Sequence, residues 1–226
     1  MRLKGGARRY ARDVPEETAR PQGRPPAATR TEVLAAATRR YRAGERIDVQ
    51  AIAAEVGVGR ATVYRWFGSR IGLIGEVIVA ELLDLVAAAR AAATGTGAPA
   101  LLDTFQRLNR TLATAPPLRR FLEHERETGL RLLTSSAGPI QPRAVEAIAA
   151  LVEAEARAGA WQPPMDPNTL AYAVVRLYEA FVYNDAAAGI RGDVERLGEV
   201  EAALLGLAPS EGPRGAPHPH AGSARR

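Results

Sequence analysis

Residues 46–70 read RIDVQAIAAEVGVGRATVYRWFGSR. Two short apolar patterns of helical period flank Gly57-Val58-Gly59, and the gap is too short for anything but two helices crossing at a steep angle. In the first, Val49, Ile52, Ala53 and Val56 share one face, and Asp48 stands before them as an oxygen-bearing N-cap. Gly57 can take the left-handed conformation that stops a helix, and Ala53 is small enough for a second helix to press against. The pattern predicts a helix-turn-helix.

The second helix is expected over residues 60–67, with Val63 and Phe67 pointing inward. Arg60, Ala61, Thr62, Tyr64, Arg65 and Trp66 spread over the rest of its surface. A cation, a hydroxyl and aromatic rims on an outward face suit the major groove of DNA. The first turn would meet base edges: Arg60 is suited to guanine O6 and N7, Ala61 to a thymine methyl, and Thr62 to a base or a phosphate. Tyr64, Arg65 and Trp66 would lean on the flanking backbone. Any one of these residues alone reads as an ordinary solvated side chain; in register behind a glycine turn they point to DNA.

At Ile52-Ala53, Gly57-Val58, Thr62-Val63-Tyr64, Phe67 and Ser69-Arg70 the stretch resembles the DNA-binding domain of the TetR-type transcriptional regulators, over roughly residues 31–80. The resemblance implies Arg60, Ala61 and Thr62 at base edges, and Tyr64, Arg65, Trp66 and Arg70 at phosphates. Gly59 departs from the family's usual serine or other cap, and Arg70 replaces its usual lysine while keeping the charge. Gly72 and Gly75 are expected to loosen the next helix, each by up to about 1 kcal/mol relative to alanine.

Charge is unevenly shared. Residues 1–75 hold 15 Arg or Lys against 7 Asp or Glu, a net of +8, whereas residues 76–226 hold 15 against 18, a net of −3. A basic headpiece on a mildly acidic body fits a protein that meets a polyanion at one end only. The chain has no cysteine, which excludes disulfides, thiol catalysis and a cysteine-ligated zinc site. The apolar runs are too short to cross a bilayer, and the Arg-rich start lacks the apolar centre of a signal peptide, so a cytoplasmic protein is expected.

Outward from the motif, residues 1–28 show scarcely any apolar period and are expected to be a disordered basic arm, of a kind that can trail into a minor groove. A DNA-binding unit is expected over 29–75. Within it Thr31 would cap a helix to about Arg42, carrying Val33, Leu34, Ala37 and Tyr41, with Thr29, Arg30 and Thr31 at its start offering donors to a phosphate. Ser69 would cap a fourth helix reaching the TGTGAP break at 94–99, a lever from headpiece to body; in the resembled family this helix conveys ligand binding to the headpieces. Five further helices are expected in a regulatory and dimerisation unit over 76–207. One carries Leu101, Leu102, Phe105, Leu108 and Leu112, and the next runs from Leu118 to Leu133 with Phe121, Leu122 and Leu130, His124 and Glu125 lying between its ends. The third carries Val145, Ile148, Ala149 and Val152, the fourth follows Asp166-Pro167 to about 188, and the last spans Asp193 to Leu207. No strand is credible, and 208–226 reads as a disordered tail. The fold class is all-α: a three-helix helix-turn-helix headpiece followed by a helical bundle.

One recognition helix reads only a few base pairs, so a homodimer on a palindromic double-stranded operator is expected, paired through the last two long helices. Leu170, Val174, Leu177, Tyr178 and Phe181 give the first of these more apolar surface than one core stripe needs. A pocket for a small-molecule effector would lie among the bundle helices, with Phe105, Leu108, Asn109, Leu112, Phe121, Glu125, Trp161, Tyr178 and Tyr183 as lining residues. The stretches RFLEHERETGLRLL and LYEAFVYND are similar to the QsdR subgroup of the same family, which implies lactone-like or other acyl effectors. His124 beside Glu123, Glu125 and Glu127 reads as a solvated helical face rather than a catalytic or metal site, and no cofactor is called for. The remaining alternative is a ligand-binding or scaffold protein whose headpiece no longer reads DNA.

Overall fold

The computed structural model describes residues 28–159, 161–184 and 193–207. The arm before 28, residues 185–192 and the tail from 208 lie outside the described residues, and with them the expectations placed there.

The first helix, α1 (Arg30–Arg42), begins earlier than expected. Thr29, not Thr31, is its cap: its hydroxyl accepts from the Glu32 N–H at 3.2 Å, while the Glu32 carboxylate accepts from the Thr29 N–H at 2.6 Å. This reciprocal box satisfies two N–H groups that a cap at Thr31 would leave open. Then come α2 (Val49–Val56) and α3 (Arg60–Phe67). Asp48 caps α2 through the Gln50 and Ala51 N–H groups, and Gly57 closes it at φ 79. Val33, Ala37, Tyr41, Ile52, Ala53, Val63 and Phe67 form the buried centre of the headpiece.

Helix α4 (Arg70–Ala92) is capped by Ser69 and belongs to both halves of the molecule. Its Leu73, Ile74, Val77 and Ile78 join the headpiece core, and its Val86 and Ala89 join a second core in the body. The expected looseness at Gly72 and Gly75 is not what these residues provide. A β-carbon at Gly72 would stand 2.0 Å from the Phe67 carbonyl oxygen, and one at Gly75 would stand 2.7 Å from Pro139 Cγ. Here glycine admits close approach by neighbouring chain.

Beyond α4 lie α5 (Gly97–Thr114), α6 (Pro116–His124), α7 (Arg126–Thr134), α8 (Ile140–Arg157), α9 (Pro167–Tyr178), a π turn (Glu179–Asn184) and α10 (Val194–Leu204). The helix expected from Leu118 to Leu133 is thus two. The chain leaves helical geometry at Glu125 (φ −140, ψ 50), and α7 folds back so that Gly129 sits against Phe121 and Leu122. Nothing local announces the break, since neither glycine nor proline stands there. Asp166 and Asp193 cap α9 and α10 as expected. The α4–α5 break is pinned to α8 by buried Glu155, which pairs with Arg90 and accepts from the Gly97 N–H at 2.6 Å. Among the described residues there is no strand, and no helix is long and apolar enough to cross a membrane.

Candidate functional site

The outward face of α3 is open. Arg60, Ala61 and Arg65 are exposed, Tyr64 is 39% exposed and Thr62 is half-buried, while Val63 and Phe67 are sealed beneath. Other headpiece arginines are spent on structure: Arg39 and Arg40 grip Glu55 at 2.7 and 2.8 Å, and Arg42 grips Glu81 at 2.7 Å. Arg60 and Arg65 have no such partner among the described residues. Gly59 brings no side-chain cap, so the first N–H groups of α3 keep their positive ends toward solvent. Trp66 is half-buried against the headpiece core, less available than its place in the sequence suggested. Thr31 is exposed on the first turn of α1.

Arg70, expected at a phosphate, is held within the protein. It lines the groove beside Arg60 and Tyr64, but its guanidinium is engaged. The Arg70 Nε donates to the Ile47 carbonyl at 2.7 Å, one terminal nitrogen donates to Glu125 at 2.9 Å, and the other pairs with the second Glu125 oxygen. The Arg70 hydrogen bonds hold the Glu125 carboxyl below the usual carboxylate range, helped by the charges of Arg70 and Arg46 and opposed by burial. Beside this pair, Arg120 donates to the Ala43 carbonyl at 3.2 Å. Glu125 therefore belongs to the joint between headpiece and body, not to a ligand pocket.

A cavity of about 340 Å³ lies among α4, α5, α6, α8 and α9. Six of the expected lining residues face it: Phe105, Leu108, Asn109, Leu112, Tyr178 and Tyr183. Three do not. Phe121 and Glu125 line the small crevice at the joint, because the break at Glu125 turns that end of α6 toward the headpiece. Trp161 packs at the far end of the body core. The sequence reading missed Gln141, Glu179 and the Pro116-Pro117-Leu118 corner, which complete the wall. Buried Gln141 donates to Glu179 at 3.0 Å, and Arg176 pairs with the same carboxylate at 2.6 Å. Burial nevertheless pushes the Glu179 carboxyl up. In the π turn, bonds from residue i to i+5 bring Tyr183 against Tyr178, where a regular α-helix would bring Val182. Tyr178 is more than nine-tenths buried, and no hydrogen bond of ordinary length and angle joins its hydroxyl to any described residue, Tyr183 included.

Behind the cavity, Asn109 donates to both oxygens of fully buried Glu201 at 2.9 and 3.0 Å. Burial raises the Glu201 carboxyl to about 7, and the amide offsets only part of that. Among the described residues no cluster of three or more His, Asp or Glu side chains is placed to hold a metal ion.

A helix-turn-helix headpiece joined by one long helix to a hollow helical body is the layout of a DNA-binding regulator. Residues 96–206 match the family "Tetracyclin repressor-like, C-terminal domain", and residues 23–69 match "Helix-turn-helix domain of resolvase". The solved transcriptional repressor QsdR of R. erythropolis is similar over 84% of this chain and 97% of its own, at 27% identity and a TM-score of 0.74. A putative transcriptional regulator from Pseudomonas aeruginosa PAO1 is similar over 78% and 88%, at 16% identity and a TM-score of 0.46. No curated protein matches significantly. The chain belongs to the TetR family of transcriptional regulators, with a helix-turn-helix DNA-binding domain.

Proposed function

We propose that the protein is a homodimeric repressor of the cytoplasm that reads a palindromic double-stranded operator with α3 and lets go when a small effector fills the cavity. The observation that carries this reading is the open face of α3, where Arg60 and Arg65 stand exposed and unpaired among the described residues while neighbouring arginines are consumed by ion pairs. In this reading Arg60, Ala61 and Thr62 address bases. Tyr64, Arg65, the exposed edge of Trp66 and Thr31 address the backbone. Repression draws support from the described role of the similar QsdR.

Pairing is assigned to α9 and α10, with only part of the apolar set the sequence suggested left available for it. Leu170, Val174 and Tyr178 are buried within the chain's own core, whereas Leu177 and Phe181 are half-buried and Tyr172 is 53% exposed. The mainly apolar cavity, with polar groups at Asn109, Gln141, Tyr178 and Glu179, suits an acyl or lactone effector.

The deciding experiment is binding to DNA from upstream of its own gene, measured at several salt concentrations against shuffled duplex. Affinity should fall on a log-log slope of roughly 0.9 per phosphate neutralised, and the upstream sequence should win. Binding that ignores sequence, or no binding at low salt, would sink the reading. The same assay with a series of lactones and acyl compounds tests the effector.

A further inference from the structure

Arg70 faces two ways. On one side it lines the groove shared by Arg60 and Tyr64 on the surface assigned to DNA; on the other it lines the crevice beneath α6 that contains His124 and Glu125. Its side chain is 26% exposed, and Glu125 occupies both terminal nitrogens. A carboxylate taken in this two-pronged manner offers the guanidinium fork the same pair of anionic oxygens that a phosphodiester offers. One fork cannot serve both at once.

We propose that Glu125 acts as an internal substitute for a DNA phosphate, holding Arg70 in the joint and thereby lowering the headpiece's grip on DNA. The inference rests on the DNA-binding reading above and adds a residue that sets affinity without touching the duplex. Three features support it. Glu125 sits at the non-helical break between α6 and α7, so its backbone is fixed by the fold of the body and not by the headpiece. Its carboxylate is charged and 17% exposed, so water competes little for Arg70. The far end of the same short helix, Pro116 to Leu118, forms part of the cavity wall, so the position of α6 governs both the cavity and the hold on Arg70.

The test compares wild type, Glu125→Gln, Glu125→Asp, Arg70→Gln and the Arg70→Gln/Glu125→Gln double variant. Each is titrated against fluorescent upstream duplex and shuffled duplex, after circular dichroism confirms helical content. Glu125→Gln should bind both duplexes on the order of fivefold more tightly, with a log-log salt slope steeper by roughly 0.9 per headpiece. Glu125→Asp, which keeps the charge but shortens its reach, should show part of the gain. The double variant should lose it. Glu123→Gln, which removes an exposed charge from the same helix, should change affinity less than twofold. Weaker or unchanged binding by folded Glu125→Gln overturns the proposal, as does a gain that survives in the double variant. If wild type binds no duplex, the DNA-binding reading itself fails and this inference with it; if wild type binds but Glu125→Gln does not tighten, only the inference fails.

Discussion

Tyr178 and Tyr183 meet edge to face, ring centroids 5.3 Å apart and planes at 88°, although they stand five positions apart on one helical segment. Only a π turn brings residues at that spacing onto one face, and it aims both rings at the cavity. Tyr183→Ala should remove a buried ring from the wall and lower stability by about 3 kcal/mol. Tyr178→Phe should be neutral or stabilising by about 1 kcal/mol, because the hydroxyl it deletes is buried and makes no hydrogen bond of ordinary length and angle. Urea unfolding of both variants checks the pair; a large loss from Tyr178→Phe would mean that the hydroxyl is satisfied.

Glu201 gives a dependence on pH. Its carboxyl lies near 4.5 in an unfolded chain and is pushed up to about 7 in the fold. The contribution from its neutral form is complete below pH 4.5 and is lost as pH rises through 7, because the unfolded chain ionises first. Glu201→Gln, which stays neutral and can still accept from Asn109, should therefore gain on wild type across that window. The gain should reach about 3 kcal/mol at pH 8 and be near zero at pH 4. Paired denaturation curves at the two pH values measure it; an equal difference at both would show that Glu201 does not titrate in this range.

Gly72→Ala is expected to destabilise by roughly 1–3 kcal/mol even though alanine is the better helix former by about 1 kcal/mol. The new methyl would meet the Phe67 carbonyl, which is backbone and cannot rotate away. A higher melting temperature for the variant would refute the close approach.

Arg60→Ala should relax discrimination at one base pair per half-site by about 1–3 kcal/mol, while Arg65→Ala should weaken all sequences alike and flatten the salt dependence. Competition with operators substituted position by position separates the two. If both variants bind as wild type does, the roles assigned along α3 are wrong.

The headpiece was legible in advance because its signals are local. Asp48, Gly57 and Ser69 act on N–H and C=O groups within a turn of themselves, and Val63 and Phe67 are one helical turn apart. The cavity was half legible. Phe105, Leu108 and Leu112 lie on an evident stripe, but Gln141 and Glu179 face each other across 38 residues, and no periodicity announces a pair of that kind.

Composition, caps and a period of 3.6 determined that the ordered elements are helices, where most of them begin, and which surface of α3 is turned outward, since each depends on neighbours a few residues away. Tertiary structure alone decided that α6 breaks at Glu125, that α9 loosens into a π turn, and that Arg70 takes Glu125 as its partner. Those outcomes depend on which distant side chains reach the same point in space, and a guanidinium reads identically in sequence whether a carboxylate or a phosphate will meet it.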